Sequence, residues 1–230
     1  MRFKIISEYY KYKSWLVMNN NNALEFFSKM TTIAKNDPKC VKISKVNDYT
    51  STDAQFILKY ANKNSEILDL GSGTGLIVNK IFNCVKSIDC VEPFKAFSDH
   101  IIKNKNVSVN NINLLEFKTD KKYDLISIFG LIQYFNLEET KEIYNNCLKW
   151  LKKGGKIIIK NQFGIYDDVL VEGYSEEQKT DYFSQYRHIK KEIELLKNIG
   201  FKNIETFDIY PPEANRWNNT HFYAIVGEKQ

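Results

Sequence analysis

The chemistry-bearing stretch of this chain is Asp69-Leu70-Gly71-Ser72-Gly73-Thr74-Gly75, with Glu92 following 21 residues after Gly71. Glycines spaced in this way let a ligand lie against the main chain, and a helix that opens there offers unpaired N–H groups. An acid at the end of the next strand suits the two hydroxyls of a ribose. The turn is not the dinucleotide fingerprint, because G-x-G-x-x-G needs glycine at position 76, where Leu76 stands. It is not a P-loop either, since no Lys-Ser or Lys-Thr follows. Asp69 disfavours an anionic pyrophosphate and favours a ligand that carries a cation.

Short apolar strands and intervening helices must position these residues. Glu66–Leu70 reads as a buried strand entering the glycine turn, followed by a helix over Leu76–Phe82. Val85–Val91, Val107–Ile112, Tyr123–Phe129 and Lys156–Lys160 read as further strands. Helices are expected over Phe94–Lys103, Leu137–Leu151 and His188–Asn198, the last stopped by Gly200. Thr52 and Gln55 have capping-box spacing for a helix running to about Ala61. Helices between buried strands predict a parallel sheet covered on both faces. Ile204–Tyr210 and His221–Gly227 are joined by too few residues for a crossover helix, so the last strand is expected to be antiparallel. The expected fold is α/β, a doubly wound seven-stranded mostly parallel sheet. Residues 1–45 are expected to form an N-terminal helical cap, with Leu24, Phe27, Met30 and Ile33 on one side of a helix. Residues 46–230 form the main domain, with an aromatic-rich insertion at about 161–186 beside the ligand site.

With its glycine turn and following acid, the chain resembles the class I S-adenosylmethionine-dependent methyltransferases, from about Thr50 to Gly227. The resemblance implies S-adenosylmethionine as cofactor and S-adenosylhomocysteine as its product. It implies that Gly71, Ser72, Gly73 and Gly75 pack against the methionine and ribose parts, and that Asp69 orders the turn and the amino group. Glu92, next to Pro93, takes the ribose hydroxyls. Asn113 stands where the family often has an Asp for the adenine amino group, a departure from the family pattern in which the side-chain carbonyl can still accept from an amino group. Leu114 and Phe129 complete the cofactor pocket. Ser127-Ile128-Phe129-Gly130 lacks the Asn/Asp-Pro-Pro-aromatic motif of amine methylation on nucleobases, and the paired cysteines of pyrimidine methylation are absent.

Ligands in such sheets bind beyond the carboxyl ends of the strands. That places Gln133, Tyr134 and Asn161 near an acceptor, with Tyr9 brought in by the cap. Only three of the 33 basic side chains are arginine: Arg2, Arg187 and Arg216. Retained arginines suit a bidentate grip on a carboxylate or phosphate, so Arg187 and Arg216 are the acceptor-binding candidates. His221 is the candidate base. The expected reaction is methylation of a small polar acceptor, neutral or anionic, such as O-methylation of a sugar or phosphoryl group in metabolite or surface-glycan biosynthesis. The alternatives are an RNA or protein methyltransferase, or an inactive cofactor-binding partner subunit.

Composition excludes other classes. The chain has 230 residues, 43% hydrophobic and 27% charged, which suits a globular domain. The net charge of +5 comes from lysines spread along the chain, an abundance shared with 24 neutral asparagines that reads as compositional bias, and their dispersal argues against a dedicated nucleic-acid surface. No apolar run reaches the ~18 residues of a membrane span. The expected location is cytoplasmic. Four cysteines show no metal-ligand spacing, and Asp167, Asp168 and Glu172 are too loosely placed to expect a metal.

Overall fold

The computed structural model describes residues 4–5, 19–34, 37–39, 48–175, 180–215 and 217–230. Helix α1 spans Asn20–Ala34, α2 Thr50–Leu58, α3 Val78–Ile81, α4 Lys95–Ser98, α5 Leu137–Trp150 and α6 Ile189–Ile199. The strands are β1 Lys4–Ile5, β2 Glu66–Leu70, β3 Ser87–Val91, β4 Val107–Asn110 and β5 Tyr123–Phe129. They continue with β6 Leu151–Gly164, β7 Val169–Ser175, β8 Thr180–Tyr186, β9 Lys202–Asp208 and β10 Thr220–Glu228. Seven strands form the main sheet in the order β4-β3-β2-β5-β6-β10-β9. β2, β3, β4, β5 and β6 pair in parallel, and β10 runs against both of its neighbours. This is the expected doubly wound sheet with its antiparallel last strand.

Side chains alternate between the two faces of a strand, and both faces are buried here. Leu68, Leu70, Ile126, Ile128, Ile157 and Ile159 join the core beneath α5 and α6. Ile67, Ile88, Leu125 and Ile158 join the opposite core with Phe56 and Ile57 of α2. An Asn136–Glu139 capping box starts α5. Glu139 also accepts from the Asn20 main-chain N–H at 3.1 Å, which ties the start of α1 to α5.

Several boundaries differ from expectation. The predicted cap at Thr52 lies inside α2; Asp48 instead accepts from the Thr50 N–H at 3.0 Å and from its hydroxyl at 2.6 Å. The helices expected over Leu76–Phe82 and Phe94–Lys103 shrink to single turns. Asn79 of α3 accepts from Ile102 N at 2.7 Å and donates to His100 O at 2.9 Å, bonding the two segments to each other. β6 runs past Lys160 to Gly164 because its polar end pairs with Thr220–Tyr223 of β10. The expected insertion folds as a β7–β8 hairpin, joined by β1 into a three-stranded antiparallel sheet.

Arg187 belongs to the core. Its Nε and Nη2 donate to Glu192 at 2.7 and 3.0 Å, and Nη1 donates to Phe135 O at 3.1 Å. The Tyr144 hydroxyl donates to the same carboxylate. Arg187 and Glu192 are 7% and 1% exposed, so this ion pair is dry. Removing one partner strands the other charge in the interior. Arg187→Ala is therefore expected to cost about 3–5 kcal/mol of folding free energy. Urea unfolding followed by circular dichroism measures it, and a loss below ~1 kcal/mol would contradict the structural role.

Candidate functional site

The glycine turn has the backbone geometry that only glycine adopts freely. Gly71, Gly73 and Gly75 have φ of 74°, 53° and 74°. A Cβ on Gly71 would meet a Leu131 methyl carbon at 2.7 Å, and one on Gly75 would meet Ile101 at 2.7 Å. The turn is fastened to β3 by Gly71 N–H and Ser72 N–H, which donate to Val91 O at 2.9 and 3.2 Å.

Two carboxylates flank this turn. Glu92 is 5% exposed and accepts from Gly73 N at 3.0 Å and from Phe94 N at 3.0 Å. Burial pushes its carboxyl up to about 7, opposed by those two main-chain donors. Asp69 accepts from the Ser127 hydroxyl at 2.6 Å. Burial also raises its pKa, with the Ser127 hydrogen bond acting the other way.

These groups line a cavity of about 420 Å3, within the size range of small-molecule sites. Of the residues predicted from sequence, Asp69, Gly71, Ser72, Gly73, Glu92 and Pro93 line it. So do Asn113, Leu114, Phe129, Gln133, Tyr134 and Asn161. Asn113 Oδ1 accepts from Leu115 N at 3.2 Å, which sets the turn beyond β4. Gly75 is not part of the lining and acts beneath the turn, where its missing Cβ makes room for Ile101. α1 covers the cavity with Ala23, Leu24 and Phe27, the last in edge contact with Tyr134 at 5.0 Å.

Two predicted acceptor residues stand elsewhere. Arg187 is not among the lining residues, and its guanidinium is committed to Glu192 and Phe135 O. His221 is also outside the lining: its Nε2 lies 2.7 Å from Asp208 and its Nδ1 contacts Asn215. His221 holds Asn215 in the cavity rim instead of facing the cavity itself. Tyr9 and Arg216 lie outside the described residues.

The cavity also contains a polar cluster that sequence reasoning missed. Lys160 Nζ donates to the Tyr210 hydroxyl at 3.0 Å and lies 3.2 Å from Asp53 Oδ2. Tyr210 donates to Asp53 Oδ1 at 2.7 Å and stacks on Tyr49 at 4.4 Å. Burial and Asp53 together raise the Tyr210 pKa far enough to keep it a neutral phenol. The one available signal was a lysine closing an otherwise apolar strand; nothing local connects positions 53, 160 and 210. Two further lining residues carry buried atoms without a hydrogen-bond partner among the described residues, Gln133 Oε1 and Asn20 Nδ2. No group of three or more metal-ligating side chains occurs among the described residues.

The comparisons with known proteins agree with this geometry. A family model described as a methyltransferase domain matches residues 68–157. Phosphoethanolamine N-methyltransferase of Plasmodium falciparum is 26% identical over 168 residues, covering 68% of this chain and 59% of the relative. The chain thus spans about three fifths of that relative's length. An uncharacterized protein of Methanocaldococcus jannaschii is 31% identical over 166 residues, 70% of this chain and 76% of the relative. Among solved structures, Haemonchus contortus phosphoethanolamine N-methyltransferase 1, in complex with phosphoethanolamine and S-adenosylhomocysteine, superposes with a TM-score of 0.68. It is 16% identical, over 91% of this chain and 49% of that one. Fold and site define a cofactor-binding α/β protein of the Rossmann-like kind. The chain belongs to the class I S-adenosylmethionine-dependent methyltransferase family.

Glu92 sets a pH dependence. Its folded pKa of about 7 exceeds its ordinary 4.5, so the native state holds a proton that the unfolded chain has lost between those values. Its contribution is complete below pH 4.5 and fades as pH rises through about 7. Glu92→Gln should flatten this fall in the Tm of the ligand-free protein, measured by scanning calorimetry. An unchanged slope would show that Glu92 is not the group responsible.

Proposed function

We propose that this protein transfers the methyl group of S-adenosylmethionine to a small polar acceptor. The observation that carries the reading is that one cavity contains both the Gly71–Glu92 cradle and the polar side chains of Gln133, which follows β5, and of Lys160, Asn161 and Gln162 in the far part of β6. The cradle fits the cofactor: Gly71, Ser72 and Gly73 bring the turn to the cavity wall, and Glu92 and Asn113 offer oxygen acceptors to its ribose and adenine. The bound cofactor would supply an activated methyl on a good sulfur leaving group.

The chain's own part is to align a nucleophile and exclude water. Gln133, Asn161 and Lys160 at the strand ends hold the acceptor, and α1 covers the cavity. Among the described lining residues, Asp53, Asp69, Glu92 and Glu213 are acidic and Lys160 is the single basic one. This balance supports a neutral or amine-bearing acceptor over a purely anionic one. The anionic reading depended on Arg187, which is engaged in the core, and on Arg216. The two relatives named above as phosphoethanolamine N-methyltransferases put amines first among acceptors to try, ahead of sugar hydroxyls. A cavity lined by α1 also favours a small molecule over RNA or protein.

Calorimetry and an S-adenosylhomocysteine-release assay test the reading. Micromolar binding of S-adenosylmethionine and S-adenosylhomocysteine is expected, tightening as pH rises through about 7 and Glu92 ionises. Glu92→Ala should weaken it at least tenfold. Turnover is expected on small amines or hydroxylated metabolites offered beside nucleotide-sugars and RNA. Failure of the folded protein to bind either cofactor form would end the proposal.

A further inference from the structure

Three distant parts of the chain converge on one lysine. Lys160 from β6, Asp53 from α2 and Tyr210 after β9 form a closed triangle of hydrogen bonds and charge. Lys160 is 8% exposed, and its ammonium lies over the rings of Tyr210 at 4.9 Å, Phe129 at 5.4 Å and Phe222 at 5.7 Å. Stability does not require this arrangement, because a buried ion pair is often no better than apolar side chains of the same volume. Its position in the cavity wall supplies another reason.

The donors can be counted. An ammonium has three N–H groups. Asp53 and Tyr210 take two, and no other polar partner of Nζ is found among the described residues. The remaining N–H suits an oxygen of a ligand. The fixed positive charge repels a cofactor sulfonium or a ligand ammonium from this end, so it also imposes a direction on the ligand.

A second, independent group completes the pattern. Gln133 Nε2 donates to Gly130 O at 2.9 Å, which fixes the orientation of the amide. Its Oε1 is therefore an acceptor, buried and unpartnered in the same cavity. Buried polar atoms left unpaired in a folded chain call for a partner, and because Gln133 lines the cavity, a small shift of its amide brings Oε1 to a ligand donor.

We infer that Lys160 is a specificity-determining residue for the acceptor: it reads an oxygen function at one end, while Gln133 Oε1 receives an N–H or O–H from the nucleophilic end. The acceptor class is thus a small two-ended molecule, with an amine or hydroxyl at one end and a carboxylate, phosphate ester or carbonyl at the other. Asp53 and Tyr210 are positioning residues that hold the ammonium. This inference rests on the methyl-transfer reading of the cavity.

The test titrates the S-adenosylhomocysteine-saturated protein with four probes of similar length by calorimetry. Three carry an oxygen function (3-aminopropanoate, 2-aminoethyl phosphate and N-acetylethylenediamine), and n-propylamine carries none. The best oxygen-bearing probe should bind at least tenfold more tightly than n-propylamine. In the double variant Asp53→Asn/Lys160→Met, which avoids leaving a lone buried charge, that advantage should fall below threefold. S-adenosylhomocysteine affinity and Tm should stay as in the wild type, which separates recognition from folding. Gln133→Ala should weaken every probe, n-propylamine included. For any probe that is methylated, the double variant should raise KM and change kcat less than threefold. Equal binding of n-propylamine, an undiminished preference in the double variant, or no binding of any probe overturns the inference. Absence of S-adenosylhomocysteine binding by the wild type would instead overturn the cofactor reading beneath it.

Discussion

Two carboxylates at the ends of adjacent strands constrain the rest of the site. Asp69 and Glu92 lie in surroundings dry enough to raise the pKa of both, so each needs donors close at hand. Glu92 finds its donors in the main chain at Gly73 and Phe94, which requires the turn after β2 to curl back over the end of β3. That curl uses φ values of 74° at Gly71 and 53° at Gly73, a region in which a side chain is strained. Asp69 finds Ser127, which is possible only because β5 lies beside β2 with Asp69 opposite Ser127. The central order β3-β2-β5, the glycine turn and the cradle are therefore parts of one solution. Changing the sheet order would strand an acid.

The covering helix depends on the same region. α1 is joined to α5 through Asn20 and Glu139, and Phe27 packs on Phe97 of α4 and on Tyr134. Thr74, within the glycine turn, donates its hydroxyl to Pro38 O in the segment leaving α1. The turn that shapes the cradle thus also anchors its cover. Glu139 lies outside the cavity lining, so a substitution there would loosen the cover without altering the cavity wall.

The parts of this structure set by local pattern were legible in the sequence. β2 and β5 were read to the residue, because each is a short, mostly apolar run, β2 ending at the glycine turn and β5 at Gly130. That Asp69, the glycine turn and Glu92 meet at one cavity was legible because it follows from short spacing along the chain. The link between the two short-helix segments was not, since Asn79 bonds to residues 100 and 102 that no local window joins to it. The polar end of β6 was read as the strand's end because Lys160-Asn161-Gln162 ignores the apolar pattern. Those residues face a cavity or a partner strand, where polarity is permitted. The Asp53–Lys160–Tyr210 triangle was invisible for the same reason: only the fold brings α2, β6 and the turn after β9 together.

The two basic residue types carry the opposite duties from those their abundance suggested. Scarce arginine was expected at the ligand, and abundant lysine on the surface. Arg187 instead holds Glu192 in the dry core, where a planar fork can satisfy both carboxylate oxygens and still reach a carbonyl. A lysine there would bring a single point charge with no planar fork to match the carboxylate. Lys160 sits at the cavity, where a compact ammonium fits among three rings and keeps one donor for a ligand. A guanidinium is larger, and its five donors would need more partners than the two side chains around Lys160 supply. Rarity in the composition marks where geometry is demanding. For Arg187, the one arginine among the described residues, the demanding geometry is structural.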